Sequence, residues 1–599
     1  MPVVGIPIDR LRRLLGSPVE VHEMVRGLQR MGCDIEGFGT LRRFKCRVCG
    51  FVLERTQTEA DPGYCDNCLA DFATSEAVMP LPPVEVLRLE LLAVRPDMFD
   101  VGGLARALRA YLGISPGLST YHLDPPRMRV TVHPGMDVPG CSRPAIGCAV
   151  IRGVQFDDDL LKEVMRLQEN LHWALGRDRR RASIGTYDLS TISAGVAYRP
   201  VEPEELVFRP LGWQDAATPG RILREHPKGR AFAHLLEGFV RYPLLIDDRG
   251  QVLSMPPIIN SEETKVTTTT RDVFIDVTGP RIEIVSRCLN VILTSILEFS
   301  PGARGEQVEL VHQDGTHLMT PDLMPQEMVM DLDAARKLLG IGVSDEEAPG
   351  LLSRMGHHAE PAGRSRLQVL IPAYRPDFLH QRDLMEELAI AFGYDRIWPT
   401  LVPTMTVGQP HPEEGLAAEY RGILTGLGLT EVMTLLLGSE ETHYAAFGLP
   451  TPEDAVLIAN PISQEQTLGR TWLMPGLMET VSRNTSREMP HRLFEVGHVL
   501  RVDAAEETGV RQSLRAGIAL AGPAIGFADI RSVMEALVRE TGHGLCVKPL
   551  SRPYYIEGRA AGILNDSGEA VGEMGEIHPE VLERLKLIQP AAYGEIAVG

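Results

Sequence analysis

Between residues 128 and 299 the chain alternates short apolar and β-branched runs with turn-forming residues, then closes on one long apolar helix. The runs read "MRVTVHPG", "RPAIGCAVIRGV", "YPLLIDDRGQVLSMPP" and "DVFIDVTG", and the helix reads "GPRIEIVSRCLNVILTSILEF" at 279–299. Runs of this kind bounded by Gly, Pro and Asp predict strands. "DDRGQ" at 247–251 predicts the hairpin turn between two of them. The fold class is therefore α+β, with sheets and helices in separate stretches of the chain.

The remainder reads as further units of the same kind. Residues 1–39 form a small α/β unit, "MPLPPVEV" at 79–86 a Pro-rich joint, and "LARALRAYLGI" at 104–114 an amphipathic helix. Residues 320–395 make a smaller helix-and-strand domain, and after a second joint, "IWPTLVPTM", a last α/β domain runs over about 410–599. A chain of 599 residues with 44% hydrophobic composition supports three or four such cores. Its smoothest apolar stretch, "AGIALAGPAIGFA" at 516–528, is thirteen residues long, against roughly twenty for a bilayer span. The N-terminus carries no apolar segment before a small-residue cleavage site, so the expected location is cytoplasmic. The net charge of −20 makes the chain as a whole a poor ligand for nucleic acid, so RNA contact needs a local basic patch or a partner.

"YRPDFLHQRDLMEELAIAFGYD" at 374–395 gathers Asp377, Asp383, Glu386 and Glu387 within eleven positions. On a helix the last three share one face, with Leu384, Leu388, Ala391 and Phe392 opposite and Gly393 as the stop. Repulsion on such a face is relieved in part by the helix dipole, or more strongly by a hard cation such as Mg²⁺ with oxygen ligands. A solvated acidic face is the plainer reading, and spacing alone favours it.

Cys46, Cys49, Cys65 and Cys68 form C-x2-C-x15-C-x2-C, within the spacing of a four-thiolate zinc ribbon. With no open position or base beside it, such a Zn²⁺ site is structural. Arg42, Arg43, Lys45 and Arg47 lie close enough in sequence to be shown to a polyanion.

The acidic segment, "HPKGRAFAHLL" (226–236), "MPPIINSEETKVTTTTRDVFIDVTG" (255–279), "NPISQEQTLGRTWLMPGLMETVSRN" (460–484) and the terminal "EIHPEVLERLKLIQPAAYGEI" together resemble the phenylalanyl-tRNA synthetase β-subunit family in its archaeal and eukaryotic-type form. The resemblance runs in order over nearly the whole chain. It implies an N-terminal domain over 1–115, with the zinc ribbon inserted at about 40–80 as a departure from the family pattern. A B3/B4-like tRNA-editing domain over 116–300, a helix-turn-helix-like B5 domain over 301–400 and a catalytic-like class II synthetase domain with an antiparallel sheet over 401–599 follow. The acidic helix then matches a magnesium site with Asp377, Asp383, Glu386 and Glu387 as ligands, against the plainer reading.

The same resemblance implies a division of labour. "RLFEVGHVL" at 492–500 is similar to a class II motif-2 strand, but no motif-3 counterpart follows it. The resemblance implies that ATP and phenylalanine belong to an α subunit, in an (αβ)₂ heterotetramer that charges tRNA-Phe. Tyrosine differs from phenylalanine by one hydroxyl, which a hydrophobic pocket rejects only about a hundredfold, so a second site that hydrolyses Tyr-tRNA is implied. By resemblance its pocket is Leu245, Ser254, Asn260, Glu262, Asp276 and Thr278, with Asp276 accepting the tyrosine hydroxyl and Ser254 and Thr278 positioning water or the ester. No Ser-His-Asp or Cys-His arrangement is legible, so water attacks with help from the tRNA ribose. Arg177, Arg179, Arg180 and Arg181 in "GRDRRRASIG" are the expected RNA contacts, with Lys228 and Arg230 beside them, whereas His226 and His234 are structural. A stand-alone trans-editing hydrolase and a non-catalytic RNA-binding paralogue remain as alternatives.

Overall fold

The structure, a computed structural model, describes residues 3–47, 51–65, 70–72, 77–90, 93–138, 141–542, 544, 546–565 and 567–598. The chain divides into two compact units, Met1–Thr400 and Leu401–Gly599.

In the first unit β1 (Val3–Pro7), β2 (Asp34–Cys46), β3 (Val52–Arg55) and β4 (Val78–Glu90) pair antiparallel in the order β1-β4-β2-β3. The stretch expected as a Pro-rich joint is the first half of β4. β1 pairs only with residues 86–90, so β4 has an open edge beside Pro80, Pro82 and Pro83, and its register with β2 slips between Leu41 and Arg43. Proline lacks an N–H for the ladder and is admitted at such an edge or bulge. Helices α1 (Ile8–Leu15), α2 (Val21–Arg30) and α3 (Val101–Tyr111) belong to this layer. The buried Asp100 carboxylate caps α3 by accepting the Gly102 and Gly103 N–H groups at 2.8 and 3.1 Å.

The strand-rich stretch forms a ten-stranded sheet. Its strands are β5 (Leu123–Val132), β8 (Ala145–Arg152), β9 (Ser183–Asp188), β10 (Gly195–Val201), β11 (Tyr242–Asp247), β12 (Val252–Met255), β13 (Ile259–Asn260), β14 (Val273–Gly279), β15 (Arg304–His312) and β16 (His317–Thr320). A short pair, β6 (Asp137–Val138) and β7 (Cys141–Ser142), stands apart. The order is β13-β12-β11-β10-β5-β15-β8-β14-β9, with β16 on β15. The hairpin at 247–251 is present, closed by the Asp247 N–H on Gln251 O. β15 and β16 lie past residue 300, so a domain boundary at 300/301 would cut this sheet; the long helix α7 (Ile282–Phe299) covers the sheet rather than ending the domain.

Alternation along β8 sorts its side chains. Ile146, Cys148 and Val150 join a core inside the sheet with Tyr187, Tyr198, Leu245 and Phe274. Ala149 and Ile151 instead join α7 and α4 (Asp158–Trp173). A strand buried on both faces reads as a continuous apolar run, as "AIGCAVI" does. Two short helices, α5 (Pro219–Glu225) and α6 (Pro227–Phe232), lie between β10 and β11 in sequence.

Residues 326–392 build a separate core from β17 (Gln326–Asp331), α8 (Leu332–Leu339), α9 (Ala348–Arg354), β18 (His358–Pro361), β19 (Arg366–Ile371) and α10 (Gln381–Phe392). The sheet order is β17-β19-β18.

The second unit is a seven-stranded sheet in the order β20-β23-β24-β28-β27-β26-β25. The strands are β20 (Thr430–Glu431), β23 (His491–Val502), β24 (Val510–Ala521), β25 (Cys546–Pro549), β26 (Tyr555–Leu564), β27 (Ala570–Ile577) and β28 (Ala591–Ala597), with β21 (Leu437–Gly438) and β22 (Leu468–Gly469) paired apart. Only β20 runs parallel to its neighbour. Helices α11 (Pro412–Gly426), α12 (Glu440–His443), α13 (Met474–Arg483), α14 (Phe527–Glu540) and α15 (Pro579–Arg584) complete it. The apolar stretch 516–528 is the end of β24, a turn and the start of α14. Among the described residues no helix is long and apolar enough to cross a membrane.

Candidate functional site

The inside of the ten-stranded sheet holds the most concentrated buried polar chemistry expected from the sequence. Asp276 on β14 stands between Gly185 of β9 and Cys148 of β8 in the ladder. Ser254 lies on β12, with five strands between it and β14 in the sheet order. The sheet nevertheless curls far enough for one side chain to join them. The Tyr187 hydroxyl is hydrogen-bonded to Ser254 Oγ at 2.8 Å and donates to Asp276 Oδ1. Tyr187, Ser254, Asp276, Thr278 and Leu245 are all buried. Burial pushes the Asp276 carboxyl up to about 7, against the opposing pull of the Tyr187 hydroxyl and the Arg143 guanidinium.

A second polar knot adjoins the first. Arg143 donates from Nε to Thr278 Oγ1 at 3.2 Å, and from Nη2 to Thr278 O at 2.7 Å and Ser183 Oγ at 3.0 Å. Ser183 and Thr278 share a hydrogen bond of 3.0 Å, and the Tyr198 hydroxyl donates to Arg143 O at 2.9 Å. Burial lowers Arg143 to about 10, which leaves it charged at neutral pH.

The structure therefore brings Ser254, Asp276 and Thr278 to one interior, with Leu245 in its apolar wall. Asn260 is half-buried, and its amide reaches Thr186 O only at 3.5 Å. Glu262 lies at the rim, accepting the Gly212 N–H at 3.0 Å and pairing with Lys265 at 3.1 Å. Tyr187, Arg143 and Ser183 were not found from the sequence. The available signal was the inward set Ser183, Gly185, Tyr187 at alternate positions of "SIGTYD", small and polar where a core strand is usually apolar.

The arginine run divides. Arg177, Arg180 and Arg181 are exposed, as RNA contacts must be. Arg179 is not available: it is buried, donates to Pro257 O and Ile258 O at 3.3 and 3.1 Å, pairs with Glu169 at 2.8 Å and stacks over Phe232. Arg177, Asp178 and Arg179 have φ of 48°, 52° and 67°, three successive left-handed residues without a glycine. His226 is structural, capping α6 by accepting the Lys228 N–H at 3.1 Å.

The acidic segment forms α10 as expected, ended by Gly393 at φ 101°. Its acids do not converge. Glu387 is buried and receives Arg375 at 2.9 and 3.3 Å, while Asp377 receives the same guanidinium at 2.8 and 3.0 Å. Asp383 accepts the Leu379 and His380 N–H groups at 2.7 and 2.8 Å, and Glu386 is exposed. A second Arg-Pro-Asp meets the first: Arg95 holds Asp97 at 2.9 Å and approaches Glu387 at 3.8 Å. Repulsion is thus relieved by two buried arginines and a helix N-terminus. Burial opposes charge on Glu387, yet Arg375, with His357 and Arg95, outweighs it and holds the carboxyl well below its ordinary range. Among the described residues no three His, Cys, Asp or Glu side chains are grouped to hold a metal ion. As arranged, these acids do not fit Mg²⁺, because Arg375 lies between two of the four.

Of the four paired cysteines, Cys46 and Cys65 are buried in a small core with Leu53 and Phe72; Cys49 and Cys68 lie outside the described residues. The two described cysteines bond alike: the Cys46 N–H donates to Phe51 O at 2.8 Å and the Cys65 N–H to Ala70 O at 2.9 Å, five residues on in each case. The neighbouring cations are not displayed as a group. Arg42 pairs with Asp61 and Arg43 with Asp159, while Lys45 reaches Asp158 at 2.5 Å and Lys162 of α4 reaches Glu54 at 2.7 Å.

In the second unit "RLFEVGHVL" is the body of β23. The polar groups around it satisfy one another. Arg470 pairs with Glu495 at 2.7 Å, Glu595 accepts the Leu473 N–H at 2.8 Å and the Tyr593 hydroxyl, and the Tyr554 and Tyr555 hydroxyls donate to Glu573 at 2.9 and 3.2 Å. Outside this core Met433, Leu435 and Ile462 are 93%, 70% and 105% exposed.

Comparison with known proteins agrees across both units. The profile of the phenylalanyl-tRNA synthetase β-chain CLM domain matches residues 397–598, and that of the tRNA synthetase B5 domain matches 328–394. The phenylalanine–tRNA ligase β subunit of Methanosarcina barkeri is 38% identical over 503 residues, 84% of this chain and 90% of its own length. That of Archaeoglobus fulgidus is 38% identical over 599 residues, 100% of this chain and 98% of its own. A crystallised N-terminal fragment of the Pyrococcus horikoshii phenylalanyl-tRNA synthetase β subunit superposes with TM-score 0.55 at 33% identity, over 66% of this chain and 100% of the fragment. The chain belongs to the phenylalanine–tRNA ligase β-subunit family.

Proposed function

We propose that this chain supports, in an (αβ)₂ assembly, an α subunit that uses ATP to charge tRNA-Phe, and that it hydrolyses Tyr-tRNA inside its ten-stranded sheet. The observation that carries the second half is the meeting of Asp276, Ser254 and Thr278 in one buried interior. A phenol hydroxyl entering there meets a carboxylate acceptor, as the resident tyrosine hydroxyl already does. Ser254 and Thr278 orient the ester or the attacking water, and the tRNA ribose assists. The exposed Arg177, Arg180 and Arg181 lie just before β9 in the chain and suit the acceptor-end phosphates.

The first half rests on family membership and on the second unit, whose buried acids, arginine and tyrosines pair among themselves rather than await ATP. Its exposed apolar side chains suit a protein partner. The reading places the complex in the cytoplasm.

Zinc belongs to this reading as a structural ion held by Cys46, Cys49, Cys65 and Cys68, supported by the matching N–H bonds of Cys46 and Cys65. For Mg²⁺, Asp377, Asp383, Glu386 and Glu387 are candidate donors only in a state where Arg375 has released them.

The test is purification with and without a co-expressed α subunit. Phenylalanine-dependent pyrophosphate exchange is expected only from the pair, and Tyr-tRNA deacylation by the pair is expected to fall at least tenfold in Asp276→Ala, in line with losing one buried charged hydrogen bond. Exchange by the lone chain, or full deacylation by the variant, removes the respective half.

A further inference from the structure

We propose that Tyr187 is a positioning residue that gates the site: its phenol stands where a substrate phenol would stand, so an ester enters only by displacing it. This deepens, and rests on, the reading that Tyr-tRNA is hydrolysed at Asp276.

The geometry is direct. The group assigned to recognise a tyrosine hydroxyl, Asp276, is bonded to a tyrosine hydroxyl of this chain, which also reaches Ser254. The Tyr187 ring stacks on Phe274 at 5.8 Å, inside the sheet. Room for the phenol is made by Gly185, where a Cβ would collide with both the Tyr187 hydroxyl and the Asp276 carboxylate.

The chain also carries an element able to yield. β9 is the end strand of the sheet and pairs in the ladder with β14. Its outer edge is held by separate bonds, the Ile184 N–H to His172 Nε2, the Gln168 amide to Ile184 O and the Asp188 N–H to Thr264 O. The strand follows the three left-handed residues Arg177, Asp178 and Arg179, a strained lead-in. Movement of β9 withdraws Tyr187 at the cost of the β9–β14 ladder, while β14 stays paired with β8 on its other side.

Displacement has unequal consequences for the two esters. A tyrosyl ring exchanges one phenol for another, and Asp276 keeps a partner. A phenylalanyl ring breaks the same bonds and restores none, leaving buried polar groups unpaired, the strongest form of discrimination open to a pocket. Tyr187 thereby protects the correct product in absolute terms, by charging every ester the same entry cost, which only a hydroxyl repays.

The experiment compares the wild-type and Tyr187→Phe αβ complexes on Tyr-tRNA and Phe-tRNA. The substitution keeps the ring and its stacking and removes only the hydroxyl. We expect kcat/KM to rise for both esters by a common factor of roughly ten or more, through KM, with their ratio unchanged. A wild-type rate on Tyr-tRNA that Tyr187→Phe leaves unchanged or lowers overturns the proposal and leaves the hydrolytic reading standing. Absence of hydrolysis in both complexes overturns both. Hydrogen exchange gives a second readout on the wild-type complex with a non-hydrolysable tyrosyl-amide of adenosine. Faster exchange of the 184–188 amides on binding supports displacement of β9, and slower or unchanged exchange refutes it.

Discussion

Gly185 and Asp276 face each other across a ladder rung, and each is tuned to the phenol between them. Adding one methyl at Gly185 forces either Tyr187 or Asp276 to move, so Gly185→Ala is expected to lower stability by about 1–3 kcal/mol, as overpacking does in cores. The midpoint of urea unfolding checks this. Asp276 gives a second prediction through its proton. Its folded value of about 7 stands above the ordinary 3.8, so the folded chain retains a proton that the unfolded chain has lost, and stability falls as pH rises between those values. Asp276→Asn cannot titrate and is expected to flatten that part of the stability-versus-pH curve, read from urea midpoints at several pH values. Ser254, Asp276 and Thr278 were legible because a long resemblance points at them. Tyr187 and Arg143 were not, since their roles depend on the curl that brings strands far apart in order to one interior, which no local pattern records.

Elements were easier to read than their connections. α7, α10, the 247–251 hairpin and the body of β14 follow from periodicity and turn residues. The Pro-rich strand β4 was misread because proline normally argues against a sheet, and only the open edge and register slip excuse it. α10 was read with its acids on one face, but a helical wheel does not show which charge a neighbouring segment buries. Arg375, from the loop before α10, takes Glu387 into the core, and Arg95 joins it from far away in sequence. Removing one partner of a buried pair strands the other, so Arg375→Ala is expected to cost about 3–5 kcal/mol, measured by denaturant unfolding. If the freed acids can take a cation, Mg²⁺ raises the Tm of that variant more than that of the wild type; equal shifts count against the magnesium reading. The same cluster is acid-sensitive. Burial lowers His357 below its ordinary 6.5, and Arg375 prevails over burial to lower Glu387 below its ordinary 4.5. The unfolded chain therefore takes up protons first as pH falls, and stability present above 6.5 is lost progressively below it, first through His357 and then through Glu387.

At the scale of the whole molecule, charge and exposed apolar area point to partnership. A net charge of −20 discourages RNA contact over most of the surface, so on the proposed function the exposed arginines before β9 act locally and a partner supplies the rest. In the second unit the segment Val432–Gly438, "VMTLLLG", leaves Met433 and Leu435 largely in solvent. Its C-terminal end is fixed by β21 pairing with β22, so these side chains sit on a supported edge rather than on a free strand. Apolar side chains held exposed in this way bury surface when a partner covers them, worth about 25 cal/mol per Å². Met433→Glu with Leu435→Glu leaves the core clusters of the unit untouched, because neither residue belongs to them. The double variant is expected to fold with the wild-type Tm when purified alone, yet to lose co-purification with the α subunit and, with it, phenylalanine-dependent pyrophosphate exchange. Retained co-purification would move the contact elsewhere on the unit, whereas a lowered Tm of the isolated chain would show that the two side chains serve its own fold.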